Sequence, residues 1–171
     1  MFPSSKVTSH GNDQPLRNEH KKLKKLNDIV GDFKTSLSLP YEVLVSIVPE
    51  NLRVVSVERL KGHENTFLLS IEEPFLELLD EDQLRAVVAH ELGHVWIFTH
   101  HPYLQTEQLA NQVAMRLVRR ETLENVYEKV WKRVGAKGDL ARFLGDGKPL
   151  APGPEESVNS REGISQEKRA N

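Results

Sequence analysis

The chain has 171 residues, 38% of them hydrophobic, and a formal net charge of −2, which suits one globular core and gives no overall field for nucleic acid or an anionic membrane. It has no cysteine, so disulfides and thiolate metal sites are excluded and a metal would be held by nitrogen and oxygen. No apolar run approaches the roughly 20 residues of a membrane helix, and the polar stretch Met1 to Gln14 lacks the apolar centre of a secretory signal, so the expected location is cytoplasmic.

Residues 1–15 are polar and rich in Ser, Asn and Gly, the composition of a disordered lead-in. From Leu16 to Leu37, the residues Leu23, Leu26, Ile29, Val30 and Phe33 recur at helical spacing with lysines on the other face, which predicts an amphipathic helix. Short β-branched runs follow. Val43–Val48, Leu52–Leu60 and Thr66–Ile71 read as strands, separated by Pro49-Glu50-Asn51 and Lys61-Gly62-His63-Glu64-Asn65, and predict a small, mostly antiparallel sheet. Pro74 to Leu79 is expected to form a short helical turn.

A long helix comes next. Asp80 is its expected N-cap, with Gln83 three residues on in a capping-box pattern, and Pro102 marks its far limit. A second helix is expected from near Thr106 to about Arg120, and a third from Leu123 to Val134, stopped by Gly135. Residues 145–171 carry Gly, Pro, Ser and charge with few large apolar side chains, too little to offset the entropy of ordering them, so they are expected to be a disordered tail. The order helix, strands, helices predicts an α+β fold with a single domain over residues 16–144.

The chemistry is carried by His90-Glu91-Leu92-Gly93-His94, an H-E-x-x-H motif inside the long helix. Residues four apart sit above one another on a helix, so both imidazoles can reach one ion. Glu91 lies about 100° round the helix, close enough to a metal-bound water to take its proton without occupying a coordination position. Zinc lowers the pKa of that water to about 7. An ordinary amphipathic helix with two histidines is the plain alternative. Against it, His90, Glu91 and His94 interrupt the apolar run Val87, Val88, Leu92, Val95, where three unpaired ionisable groups would be costly without a cation.

A catalytic zinc needs a third protein ligand and one open position. His100 has the metzincin spacing, but Ile97 stands where that pattern has glycine. An unbroken helix would turn His100 some 240° away from His94. Glu107 is favoured. The chain reverses around Pro102, and a returning helix that begins near Leu104 has climbed about 4–5 Å by Glu107, near the level of His94. Glu107, Ala110, Asn111 and Ala114 share one face of it, and the two alanines permit close approach. Asn111 can reach back to hydrogen-bond a ligand histidine.

His90-Glu91-Leu92-Gly93-His94 followed by Glu107-Gln108-Leu109-Ala110-Asn111 resembles the gluzincin pattern, H-E-x-x-H then E-x-x-A. The run from Asp80 to Ala89 is similar to the lead-in of HtpX-type peptidases, and Asn65-Thr66-Phe67 resembles their strand start. The resemblance covers about residues 65–119. It implies a zincin-like fold, one Zn2+ per chain held by His90, His94 and Glu107, Glu91 as general base, and zinc-dependent endopeptidase activity on peptides or proteins. The chain departs from the pattern in having no membrane helices, a short His94-to-Glu107 spacing, and Asn111 where Asp is usual, which brings it closer to miniature soluble gluzincins. An amide raises ligand basicity less than a carboxylate does, which implies weaker activity.

An extended substrate is expected to pair with the strand Phe67–Ile71 by β-addition. Two rival readings are a regulatory metalloprotein of the ImmA/IrrE type and a non-catalytic zinc-stabilised interaction module. His20 to Lys25 reads as a solvated helix face rather than a binding patch. Trp96, Phe98 and Trp131 read as core, and His63 as a loop histidine. Tyr103, Tyr127, Arg116 and Arg119 are candidates for stabilising an oxyanion, and the sequence does not choose among them.

Overall fold

A computed structural model describes residues 14–145. The expected tail beyond Gly145 and the lead-in before Gln14 lie outside the described residues. The elements run α1 (Gln14–Ser36), β1 (Glu42–Val48), β2 (Val55–Arg59), β3 (Thr66–Glu72), α2 (Glu73–Leu76), α3 (Glu81–His100), α4 (Glu107–Ala114), α5 (Arg120–Val134) and α6 (Leu140–Leu144). This is an α+β fold with one three-stranded sheet among the described residues.

The α1 helix forms as its periodicity predicts. Leu26, Ile29, Val30 and Phe33 are buried, while its lysines face outward and pair with acids. Lys22 reaches Glu77 at 2.9 Å, Lys25 reaches Glu81 at 2.7 Å, and Lys24 reaches Asp28 at 2.8 Å. The basic run therefore ties α1 to the end of α2 and the start of α3, although such exposed pairs contribute little stability.

The sheet is mixed rather than mostly antiparallel, and its order is β1-β3-β2. β1 runs parallel to β3, with Glu42 opposite Thr66, and β2 runs antiparallel to it, with Val55 opposite Ile71. The reason lies in burial. β3 carries Phe67, Leu69 and Ile71 inward with at most 5% exposure, and the most apolar strand gains most from being covered on both edges. The six-residue link 49–54 spans the roughly 10 Å that two strand spacings require. β2 is also shorter than its sequence suggests. Residues 51–54 form a tight turn in which Val54 N–H donates to the Asn51 carbonyl at 2.8 Å and Arg53 N–H to the Asn51 side chain at 3.0 Å. Val54 sits there at φ 68, an outlier for a β-branched residue that burial of its side chain holds in place.

The α3 helix begins with both halves of its capping box. The Asp80 side chain accepts from Gln83 N–H at 2.8 Å, and Asp80 N–H donates to the Gln83 side chain at 3.2 Å. Its buried face includes Leu84, Val87, Val88, Leu92 and Val95, packed on the sheet. Thr106 caps α4, one residue from the expected start. The α4 helix ends at Ala114 instead of near Arg120. There, Arg116 N–H and Leu117 N–H bond the carbonyls of Val113 and Ala114, three residues back, so the turn tightens without a glycine or proline to announce it. Gly135 ends α5 at φ 67, as predicted. A bidentate pair between Arg133 and Glu72, at 2.9 and 3.0 Å, joins the end of α5 to the end of β3. The short α6 is an element the sequence reading did not anticipate.

Candidate metal centre

α3 presents His90 and His94 on one face, with ring centroids 4.9 Å apart. α4 returns alongside and delivers Glu107. The close crossing depends on Gly93, where a Cβ would come within 2.5 Å of the Ala110 carbonyl oxygen. Ala110 and Ala114 are fully buried at the same contact. Small residues on both helices thus set how far Glu107 can lean in.

Three donor atoms converge. His90 Nε2 lies 3.2 Å from Glu107 Oε2, and His94 Nε2 lies 3.5 Å from Glu107 Oε1. One donor atom from each of the three residues falls within 4.8 Å of the others. A tetrahedral ion with bonds of about 2.0–2.2 Å separates its ligand atoms by about 3.3–3.6 Å. The two nitrogen–oxygen separations lie close to that range, and nitrogen and oxygen donors suit zinc. His100 is not part of the group. It stacks on Trp96 with ring centroids 4.1 Å apart, and its Nδ1 bonds the Trp96 carbonyl at 2.9 Å.

Both rings are held from behind. His90 Nδ1 meets Asn111 Oδ1 at 2.8 Å, and His94 Nδ1 meets Gln105 Oε1 at 3.3 Å. With each Nδ1 engaged by an amide oxygen, Nε2 is the nitrogen left to face the cavity. Asn111 is completely buried. Its Nδ2 donates to the Tyr127 hydroxyl at 2.7 Å and to the Phe143 carbonyl at 2.9 Å. Tyr127 in turn donates to Glu107 Oε2 at 3.4 Å.

The charges respond to this arrangement. Hydrogen bonds from His90 and His94 hold the Glu107 carboxyl far below the usual carboxylate range. Burial works against charge on His90, yet the bond to Glu107 and the fields of Glu91 and Glu107 outweigh it and raise its pKa. Burial pushes the Glu91 carboxyl up, against the pull of the two histidines, and a carboxylate so raised is a better proton acceptor. Burial likewise pushes the Tyr127 hydroxyl well above its ordinary value.

Glu91, His90, His94, Glu107 and Tyr127 line a cavity of about 530 Å³, with β2 forming one wall from Val55 to Val57. Val87, Leu123, Val126 and Val130 make an apolar wall. β3 is paired on both edges, so Phe67–Ile71 cannot take up another strand as expected, and among the described residues the strand with an unpaired edge beside the cavity is β2. Of the four oxyanion candidates only Tyr127 lines the cavity. Tyr103 is 97% exposed, and Arg116 lies 4.9 Å over the Trp96 ring. His63 is exposed in the β2–β3 connection, as expected. Trp96, Phe98 and Trp131 are half-buried rather than core, and Phe98 lines the cavity. Gln105 and Phe143 were not singled out from the sequence. One is a loop residue, and the other acts through its carbonyl, which side-chain chemistry cannot signal.

Residues 61–144 match the model of a family described as peptidase family M48. No curated protein matches the chain. Among solved structures, the crystal structure of the metallopeptidase zymogen of Pyrococcus abyssi abylysin is similar at 16% sequence identity and a TM-score of 0.46, covering 67% of this chain and 99% of that one.

Proposed function

From the match of residues 61–144 to the model of peptidase family M48, we propose that the protein is a zinc-dependent metalloendopeptidase whose zinc is held by His90, His94 and Glu107. The observation that carries this reading is the meeting of one donor atom from each of these residues within 4.8 Å, with both Nδ1 atoms already engaged. When bound, zinc supplies Lewis acidity, polarising a carbonyl and lowering the pKa of water to about 7.

The protein's own groups do the rest. Glu91 accepts a proton from the water that attacks the scissile carbonyl, and gives it to the leaving amine as the C–N bond breaks. The free edge of β2 offers main-chain groups to an extended peptide, which adds to the sheet as a further strand. The wall of Val87, Leu123, Val126 and Val130 accepts an apolar side chain and excludes water beside the reacting bond. Asn111 orients His90, and Tyr127 orients Glu107.

The test compares wild type with Glu91→Gln. The substitution keeps size and most hydrogen bonds but removes the base, so about one zinc per chain and the far-ultraviolet circular dichroism should stay while cleavage of an unstructured peptide falls by about 10²-fold or more. Equal cleavage by both forms would remove Glu91 from the reaction, and no cleavage by either would favour a zinc-stabilised interaction module.

A further inference from the structure

The sequence places an amide at residue 111, where the resemblance leads one to expect a carboxylate. The reason lies in α6. Phe143 presents a main-chain carbonyl, which only accepts, 2.9 Å from the Asn111 side chain. The nitrogen of the amide must therefore face Phe143, and the same nitrogen donates to Tyr127 at 2.7 Å. That leaves Oδ1 for His90, 2.8 Å away, so His90 Nδ1 must be the donor in that bond. A carboxylate at 111 would set oxygen against oxygen at Phe143. The amide and the α6 carbonyl are a matched pair.

Several features seat α6 where this pairing needs it. Arg120 donates to the carbonyls of Leu144 at 3.2 Å and Gly145 at 2.9 Å, and is itself held by Glu124 at 2.8 Å. Leu144 is 1% exposed. The Phe143 ring packs on Tyr127 and Trp131 with centroids 5.3 and 5.8 Å away. A Cβ at Gly138 would fall on the Trp131 ring, and one at Gly145, which has φ +69, would come within 2.9 Å of the Gln108 side chain. Asp139 caps α6, accepting from Ala141 N–H at 2.9 Å.

We propose that α6, clamped by Arg120, is a positioning element for the metal centre: its Phe143 carbonyl fixes the Asn111 amide, and through it the His90 ring, with Nε2 turned to the cavity. Phe143 and Arg120 act through Asn111 and touch neither substrate nor ion. The proposal rests on the metallopeptidase reading only in taking His90 as a ligand.

The test uses the full chain, with Arg120→Met and Asp139→Ala as variants that loosen α6 from opposite ends without entering the cavity. Zinc affinity is measured by competition with a colorimetric chelator, and ligand geometry by the visible d–d bands of the cobalt(II)-loaded protein. Circular dichroism checks the fold. Loss of an outer support typically costs 10–100-fold in metal affinity. Arg120→Met should thus weaken zinc binding by about tenfold or more and alter the cobalt bands, and Asp139→Ala should shift both in the same direction by less. A purely structural α6 would lower the melting temperature and leave the cobalt spectrum of the folded protein unchanged. Unchanged affinity and spectrum in folded variants overturn the proposal, and if Arg120→Met does not fold, Asp139→Ala decides alone. Wild type that binds neither metal would sink the metallopeptidase reading itself, whereas wild type that binds metal beside unaffected variants sinks only the role of α6.

Discussion

His90 and His94 lie one turn apart on α3 and are exposed to a similar degree, 16% and 22%, yet they are held in different ways. Behind His90 stands a closed set of hydrogen bonds in which a fully buried Asn111 joins α4, α5 and α6. Behind His94 stands Gln105, an exposed residue of the loop before α4, at the longer distance of 3.3 Å. A buried, fully satisfied network rigidifies what it touches, and its loss leaves polar groups without partners. An exposed bond is readily exchanged for one to water. One side of the site is therefore preorganised, while the other can adjust.

The largest effect should come from the rings themselves and test whether both serve one ion at all. His90→Ala and His94→Ala should each lose stoichiometric zinc after dialysis, because either removes one of three ligands. Full zinc retained by one variant would break the comparison at its root. Next comes the helix crossing that both rings share. In Gly93→Ala the added Cβ meets the backbone of Ala110, which cannot swing aside as a side chain would. A loss of about 1–3 kcal/mol is expected in denaturant titration, together with weaker zinc binding as α4 moves Glu107 outward. Unchanged stability would show that the contact has slack.

A sharper contrast is the same chemical change made on the two sides. Asn111→Asp sets a buried oxygen against the Phe143 carbonyl and removes the donor to Tyr127. It should cost about 1–3 kcal/mol, whereas Gln105→Glu at an exposed site should stay within about 0.5 kcal/mol. Equal melting temperatures for the two variants would deny that the sides differ.

Much of this was legible in the chain because it is local. The cap at Asp80, the helical spacing of His90 and His94 and the stop at Gly135 each depend on a few neighbouring residues. That Glu107 returns to the level of His94 was expected from the reversal at Pro102, but the helical rise counted from Leu104 is absent: α4 begins at Glu107, so the loop before it makes the climb. What could not be read is set by distant partners. β3 takes the centre of the sheet because it outcompetes β2 for burial, a comparison that no single strand pattern contains, and one that leaves the expected substrate edge Phe67–Ile71 paired on both sides. Likewise α6 is five residues long, too short to hold as a helix by itself however good its helix formers are. Its place depends on Arg120, Tyr127 and Trp131, which are remote in sequence. Asn111 could be read as a support for a histidine, but the reason for an amide there lies in the Phe143 carbonyl.

The smallest effect should come from Gln105→Ala, and it tests the adjustable side most directly. Both bonds of the Gln105 side chain go to His94, one to Nδ1 at 3.3 Å and one to the main-chain carbonyl at 3.2 Å. Removing them exposes two groups that already lie near water, so neither is left buried without a partner and the full desolvation cost does not arise. A water can bond His94 Nδ1 in place of the amide at little cost in order. The main loss is a weak restraint on the ring, together with a looser entry to α4, whose own cap at Thr106 remains. Chelator competition should then show zinc affinity reduced by less than about threefold, well short of the 10–100-fold that a rigid outer support carries. Stability should stay within about 0.5 kcal/mol of wild type. A fall of tenfold or more would mean that the loop bond is as firm as the Asn111 network, and that the two histidines are braced alike.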